Sequence, residues 1–342
     1  MIKMDHRVVQ GQEDPLDPGR IPELTDIITE DPHLTEILSW LPIYADSDLP
    51  ILLTGEPGTG KELVAMAIFA LGPARRRSSQ RLNCAALTES LASSELFGHL
   101  RGAFTGADHT RPGKFRLAHG RSLFLDEVGE LPLSIQPKLL RAVEQGEIEP
   151  VGGDASVKVD VRLVAASNQD LLRLIAAGLF RQDLYDRLAV LAIHLPPLRE
   201  RPADILLLAG HFARETARRY GRGQPPQFSV AARRRLEKQP WPGNVRELKN
   251  VVTRAVLFCS GGLIREEDLA FTPYPGASPQ SSRAGEGVAA RPSAAQLKEL
   301  LDSEGGNVSA LSRRLQVCSK TIYRWLRTHH IDLMGIRAAE PI

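Results

Sequence analysis

A run of apolar residues from Pro50 to Thr54 passes directly into Gly55-Glu56-Pro57-Gly58-Thr59-Gly60-Lys61-Glu62, and an apolar stretch resumes at Leu63. Strand, glycine-rich turn and helix in that order wrap backbone N–H groups around an anionic phosphate at a helix N-terminus, while Lys61 supplies a full positive charge. Even with 28 glycines in the chain, coincidence is a poor account of this string in this context. Two further runs, Ser122 to Leu125 and Val159 to Ala165, read as buried strands alternating with helical stretches. That alternation predicts an α/β fold, a parallel sheet covered by helices. From about Arg201 the pattern is helical throughout, with 203–220, 230–239 and 245–259 as candidate helices, so a helical subdomain follows the α/β part.

The run at Ser122 ends in Asp126-Glu127, about 65 residues after the glycine loop. Beside a phosphate site, Asp126 is suited to hold a magnesium shell and Glu127 to polarise a water attacking the γ-phosphate in line. Taken alone, Asp-Glu at a strand end is equally a solvated surface pair. Glu62 stands where many such loops carry the Ser or Thr that ligates magnesium, which leaves the metal to Asp126 and water. Arg181 and Arg187 fall on a short helical segment after the third strand. They suit either fingers that stabilise charge on a transferring phosphoryl group in a neighbouring subunit or salt bridges, Arg187 with Asp186 or Asp183.

Length and composition bound the rest. At roughly 150 residues per domain, 342 residues make two or three domains, and 42% hydrophobic with 25% charged residues is globular. The 43 basic and 41 acidic residues nearly cancel, so any nucleic-acid surface is local. Three scattered cysteines, Cys84, Cys259 and Cys318, make no disulfide framework and no zinc pair, which suits a reducing cytoplasm. The charged first twenty residues resemble no signal peptide. The apolar run 188–198 is shorter than the roughly 18 residues a membrane span needs, so no membrane role is expected. Pro, Gly and Ser crowd residues 271–292, which read as a linker between a body of residues 22–270 and a small terminal piece. The predicted order is an N-terminal tail at 1–21, an α/β part at 22–195, a helical lid at 196–270, the linker, and a terminal domain at 293–342.

The string Gly102-Ala103-Phe104-Thr105-Gly106-Ala107 stands with Leu82-Asn83-Cys84-Ala85-Ala86, Ser94-Glu95-Leu96-Phe97-Gly98-His99, Phe124-Leu125-Asp126-Glu127 and Trp241-Pro242-Gly243-Asn244-Val245-Arg246-Glu247-Leu248. Together, from about residue 22 to 260, these resemble the sigma-54-dependent transcription activators, bacterial enhancer-binding proteins of the AAA+ ATPases. The resemblance implies a AAA+ sheet with a helical lid, ATP and Mg²⁺ as cofactors, and a ring of identical subunits, a hexamer, with ATP between them. It implies that the loop 102–107 rises and falls with nucleotide state and contacts sigma-54. Asn83 is then the switch residue pairing with Glu127, Ser167 and Asn168 the first sensor, Arg246 the second, and Arg181 and Arg187 fingers in trans. Asp186 and Arg121 depart from the family's usual aromatic residue and glycine; an acid at Glu62 is common in it.

Residues 306–326 carry apolar stripes at Val308, Leu311 and Leu315 and at Ile322, Trp325 and Leu326, with Val317 in the turn between them. This predicts an all-α helix-turn-helix, with a solvated helical hairpin as the plainer alternative. On its second helix Lys320, Arg324, Arg327 and Thr328, with Ser319 and Thr321 at its start, could reach bases and phosphates of double-stranded DNA. Five Lys or Arg and no Asp or Glu lie between Gly305 and Ile331. The segment also resembles the family's Fis-type C-terminal domain, with Gln316 and Cys318 where Gly and Ser are common.

The expectation is therefore an ATP-hydrolysing, DNA-bound activator that remodels sigma-54 RNA polymerase from closed to open complexes. Only about twenty residues precede the core, where the family usually carries a sensor domain, which predicts control from elsewhere, such as an inhibitory regulator in trans. The alternatives are a promoter-bound regulator that does not act through sigma-54, which the intact signature loop disfavours, and a general AAA+ remodeller, which the DNA-reading tail disfavours.

Overall fold

The computed structural model describes residues 27–73, 79–85, 87–104, 106–259, 262–271 and 294–303. Five parallel strands form the main sheet: β1 (Ile51–Thr54), β2 (Ser79–Asn83), β3 (Arg121–Asp126), β4 (Val161–Ser167) and β5 (Leu191–His194). Their order is β2-β3-β4-β1-β5. Parallel strands that follow one another in the chain require crossover connections, and the helix Lys61–Leu71 supplies the one from β1 to β2, which lies three places away at the sheet's edge.

Alternation along the central strands separates two cores. Leu52, Leu123, Leu125, Leu163 and Ala165 face one, which also holds Phe97, Phe115 and Leu139. Ile51, Leu53, Phe124, Val164 and Ala166 face the other, against Leu38 and Leu41 of the helix Pro32–Asp46 and Ile68 and Phe69 of the helix Lys61–Leu71. Successive side chains of a strand point to opposite faces, so a strand apolar on both faces is buried between two helical layers. The one large polar intruder, Arg162 of β4, is buried. It donates to the Ala45 and Tyr44 carbonyls at 2.8 and 2.6 Å, in the last turn of the helix Pro32–Asp46, whose carbonyls have no N–H partner within the helix.

The strands extend the sequence expectation. β4 lies two residues later than expected, at 161–167 instead of 159–165, so Ser167 closes the strand instead of following it. β2 and β5, the sheet's two edges, were not read as strands: β2 lacks a continuous apolar run, and β5 is not set apart within the longer one from Leu188. The helical part matches closely, with helices Pro202–Arg219, Val230–Glu237 and Asn244–Phe258 around a core that includes Phe212, Leu248, Val252 and buried Trp241. The chain divides into two compact units at Tyr274/Pro275. Of the second, the described part is the helix Ala294–Ser303, with Leu297 and Leu301 buried. The linker from residue 272, the helix-turn-helix and its residues Ser319, Lys320, Thr321, Arg324, Arg327 and Thr328 lie outside the described residues, as do the N-terminal tail and Thr105.

Candidate active site

Thr54, Asn83, Asp126 and Ser167 end β1 to β4, so their functional groups gather at the carboxyl edge of one sheet, where open α/β sheets take ligands. The loop 55–60 leaves β1 and opens the helix Lys61–Leu71. Gly60, its N-cap, has φ +110° with open space where a Cβ would stand. Gly58, at φ +80°, packs so closely on the lid that a Cβ would meet the Gly243 carbonyl at 2.5 Å. The loop is therefore gripped from outside. Val245 N–H donates to Gly58 O at 3.0 Å, and the Asn244 amide donates to Pro57 O and Glu56 Oε2 at 3.0 and 3.1 Å. Asn244 Oδ1 accepts from Leu198 N–H at 2.7 Å. Glu56 also accepts from Arg199 at 2.8 Å, and these bonds, Arg199 foremost, hold its carboxyl below the ordinary range.

A cavity of about 300 Å³ opens over this loop, lined by Gly58, Gly60, Lys61, Glu62, Asp126 and Glu127 from the core, and by Val245, Arg246 and Lys249 from the lid. Lys61 is buried, its ammonium donating to Gly55 O and Glu56 O at 2.8 and 3.2 Å. Burial pulls its pKa down while Glu127 and Asp126 hold it up. The same burial raises the pKa of both carboxyls against the pull of Lys61. Glu127 sits in the left-handed region at φ 56°, a conformation that costs a non-glycine residue of order 1–3 kcal/mol and that clusters at functional sites. Its Oε2 accepts from Asn168 N–H at 3.0 Å, and Ser167 Oγ braces the turn by accepting from Gln169 N–H at 3.1 Å. Cys84, beside the acids, has its thiol pushed up to about 12, chiefly by burial, and is inert as a nucleophile.

Asn83 departs from its expected partner. Its amide donates to Asp126 Oδ2 at 3.2 Å, not to Glu127, because the β2/β3 register sets Asn83 beside Asp126. Glu62 lines the cavity but pairs at 3.0 Å with exposed Arg81. Arg181 and Arg187 are not among the lining residues. Arg181 pairs with Asp183 at 2.6 Å, and Arg187 with Glu144 at 2.7 Å, a partner the sequence did not suggest. In the loop 102–107, Gly102 N–H donates to Ala107 O at 2.9 Å and Ala107 N–H to Phe104 O at 3.0 Å, closing the base. Phe104 is 42% exposed, its ring edge-on to His99 at 5.0 Å, and the His99 Nδ1 meets Ser94 Oγ at 2.7 Å.

Three contributors escaped the sequence reading of the site: Asn244 as a grip on the loop, Lys249 in the cavity wall, and Arg199 on Glu56. Only the Trp-Pro-Gly-Asn string signalled the first. Replacing Asn244 by alanine is expected to leave the buried Leu198 N–H without its acceptor, costing about 1–3 kcal/mol. A lower thermal midpoint together with weaker nucleotide binding would show it; an unchanged midpoint would show that the grip contributes nothing.

Beside the first cavity lies a second of about 110 Å³, walled by Ile27 and Ile28, by Leu63 and Val64 of the helix Lys61–Leu71, and by Leu208 and Phe212 of the lid. The two share Gly60, Leu63 and Val245.

Residues 27–194 match the sigma-54 interaction domain, and residues 199–285 the AAA+ ATPase lid domain. The chain is 49% identical over 236 residues to the DNA-binding transcriptional activator HyfR of Escherichia coli, 69% of this chain and 35% of that one. It is 40% identical over 342 residues to the anaerobic nitric oxide reductase transcription regulator NorR of Aeromonas hydrophila, 93% of this chain and 66% of that one. The chain thus spans about a third of HyfR. Among solved structures, NtrX of Brucella abortus in complex with ATP superimposes with a TM-score of 0.67 at 28% identity, over 89% of this chain and 69% of that one. Among the described residues no helix is long and apolar enough to cross a membrane, and no group of three or more His, Cys, Asp or Glu could hold a metal.

Proposed function

The chain belongs to the sigma-54-dependent activators of the AAA+ class, and from that premise we propose that it hydrolyses ATP to remodel sigma-54 RNA polymerase at promoters. The observation that carries the reading is the convergence on one cavity of Lys61, the Asp126 and Glu127 carboxylates, and Arg246 from the lid. Lys61 and the N–H groups of the loop bind the phosphates, and the base enters the adjoining apolar cavity. Glu127, held by Asn168 N–H, orients and deprotonates the attacking water. The donor set fits Mg²⁺, a cation that keeps several waters and takes one or two carboxylates plus phosphates, with Asp126 as the protein ligand. The ion would supply charge neutralisation at the γ-phosphate.

Arg181 and Arg187, exposed and outside their own subunit's cavity, act across a subunit boundary in a ring, a hexamer, each exchanging its internal carboxylate for a neighbour's phosphate. Asn83 is the switch, now bonded to Asp126; Ser167 and Asn168 form the first sensor and Arg246 the second. The loop 102–107 presents Phe104 and Thr105 to sigma-54, and the helix-turn-helix of residues 293–342 holds the protein at double-stranded DNA.

The test is a native-gel shift of the full chain with purified sigma-54, in ADP plus aluminium fluoride and in ADP alone. A complex formed only with the transition-state mimic supports the proposal. Hydrolysis without a complex would indicate another remodelling substrate, and no hydrolysis at all a regulator that does not act through sigma-54. Thr105→Ala is expected to keep ATP turnover while losing the trapped complex and open-complex formation; a fully active variant would refute the loop assignment.

A further inference from the structure

The apolar cavity contains an unsatisfied cation. Arg201 lines it and is only 3% exposed, yet its Nε and Nη2 have no hydrogen-bond partner. Buried donors are rarely left so, because removing them from water without an acceptor is costly. What Arg201 lacks is not a countercharge. Asp204, fully buried, lies 3.5 Å from Nη1. The Asp204 carboxylate is also taken up by the 27–30 segment, accepting from Thr29 Oγ1 at 2.8 Å and from Glu30 N–H at 2.7 Å, and so does not reach round to the other edge of the guanidinium. Nε and Nη2 together present a rigid planar pair of donors.

The surroundings select the chemistry of the missing acceptor. An anion would have to be desolvated between Ile28, Leu63 and Phe212, beside an arginine whose charge Asp204 already balances. A neutral acceptor in a flat apolar ring meets no such penalty. The cavity, about 110 Å³, shares Gly60, Leu63 and Val245 with the phosphate cavity, so a base that enters it from that side keeps its phosphates next door. His211, the other ionisable lining group, is held by burial below its ordinary range, so it adds a neutral ring instead of a second charge.

We propose that Arg201 is the residue that reads the nucleobase, donating from its Nε–Nη2 edge to a ring nitrogen of the purine. This rests on the nucleotide site proposed above and adds a polar specificity contact supplied from the start of the lid. Because Asp204 joins Arg201 to the 27–30 segment, the same contact couples base recognition to the segment that walls the cavity.

The test measures affinities of the full chain for ATP and for 1-deaza-, 3-deaza- and 7-deaza-ATP, with inorganic tripolyphosphate as the base-free competitor. One deaza analogue should bind about tenfold more weakly than ATP, the loss of one hydrogen bond of about 1.4 kcal/mol. Arg201→Met should bind ATP correspondingly more weakly and no longer distinguish that analogue. A merely structural role would weaken all analogues alike. The wild-type series needs no folded variant, and its failure alone overturns the proposal. All three analogues binding like ATP, or tripolyphosphate competing as well as ATP, would overturn the proposal. Failure of ATP and tripolyphosphate alike to bind would overturn the nucleotide site on which it rests.

Discussion

Glutamine in place of Glu127 is expected to lower steady-state ATP turnover by about 10²–10⁴-fold while leaving ATP affinity nearly unchanged. Glutamine keeps the shape and an acceptor for Asn168 N–H, so the turn survives and only the proton acceptor is lost. The measurement is turnover alongside equilibrium binding. A variant that hydrolyses ATP at the parental rate would remove Glu127 from the mechanism, and one that loses binding would make it structural. The pH profile gives a second check. Burial raises the Glu127 pKa above the ordinary 4.5, and the base works only when deprotonated. Wild-type turnover should therefore fall with decreasing pH along a limb displaced above the ordinary carboxylate range. The glutamine variant should lose the contribution of that group.

Lys61→Ala is the other large effect. The ammonium is the one full positive charge on the glycine loop, held against two loop carbonyls by burial and aimed where the phosphates enter. A charged hydrogen bond is worth about 1.5–3 kcal/mol, and this group serves more than one phosphate oxygen, so binding should weaken by about two orders of magnitude or more. Fluorescence titration with a labelled nucleotide measures it. Intact tight binding would mean that the loop N–H groups and Arg246 suffice. The variant also removes a charge that stabilises ionised Asp126 and Glu127, so both carboxyls should titrate higher without it.

Most of the molecule's plan was legible because it is carried by local patterns. The glycine loop, the acid pair and the three lid helices each announce themselves within a few residues, and the central strands are apolar on both faces. The edges were not legible. β2 reads Ser-Gln-Arg-Leu-Asn, with two of its five residues exposed and none buried, and β5 hides inside a longer apolar run from Leu188. The cross-chain bonds were also invisible: Asn244 meets Glu56 and Pro57 across nearly 190 residues of sequence, and no spacing rule reaches that far. Arg201 is the sharpest case. Among 43 basic residues one arginine carries no signal, and only the buried, unpaired state of its guanidinium edge distinguishes it. Asn83 shows the limit of analogy, since strand register decides which of two adjacent acids it touches.

The bonds between the lid and the glycine loop have a mechanical meaning. Gly58 and Pro57 are tied by backbone and side chain to the first turn of the helix Asn244–Phe258, which packs along the helix Pro202–Arg219. The phosphate cradle is thus also a pivot. Eighteen residues of helix make a stiff arm of about 27 Å. Any rotation of the lid about that cradle would be felt most at the far end of the arm, in proportion to its length.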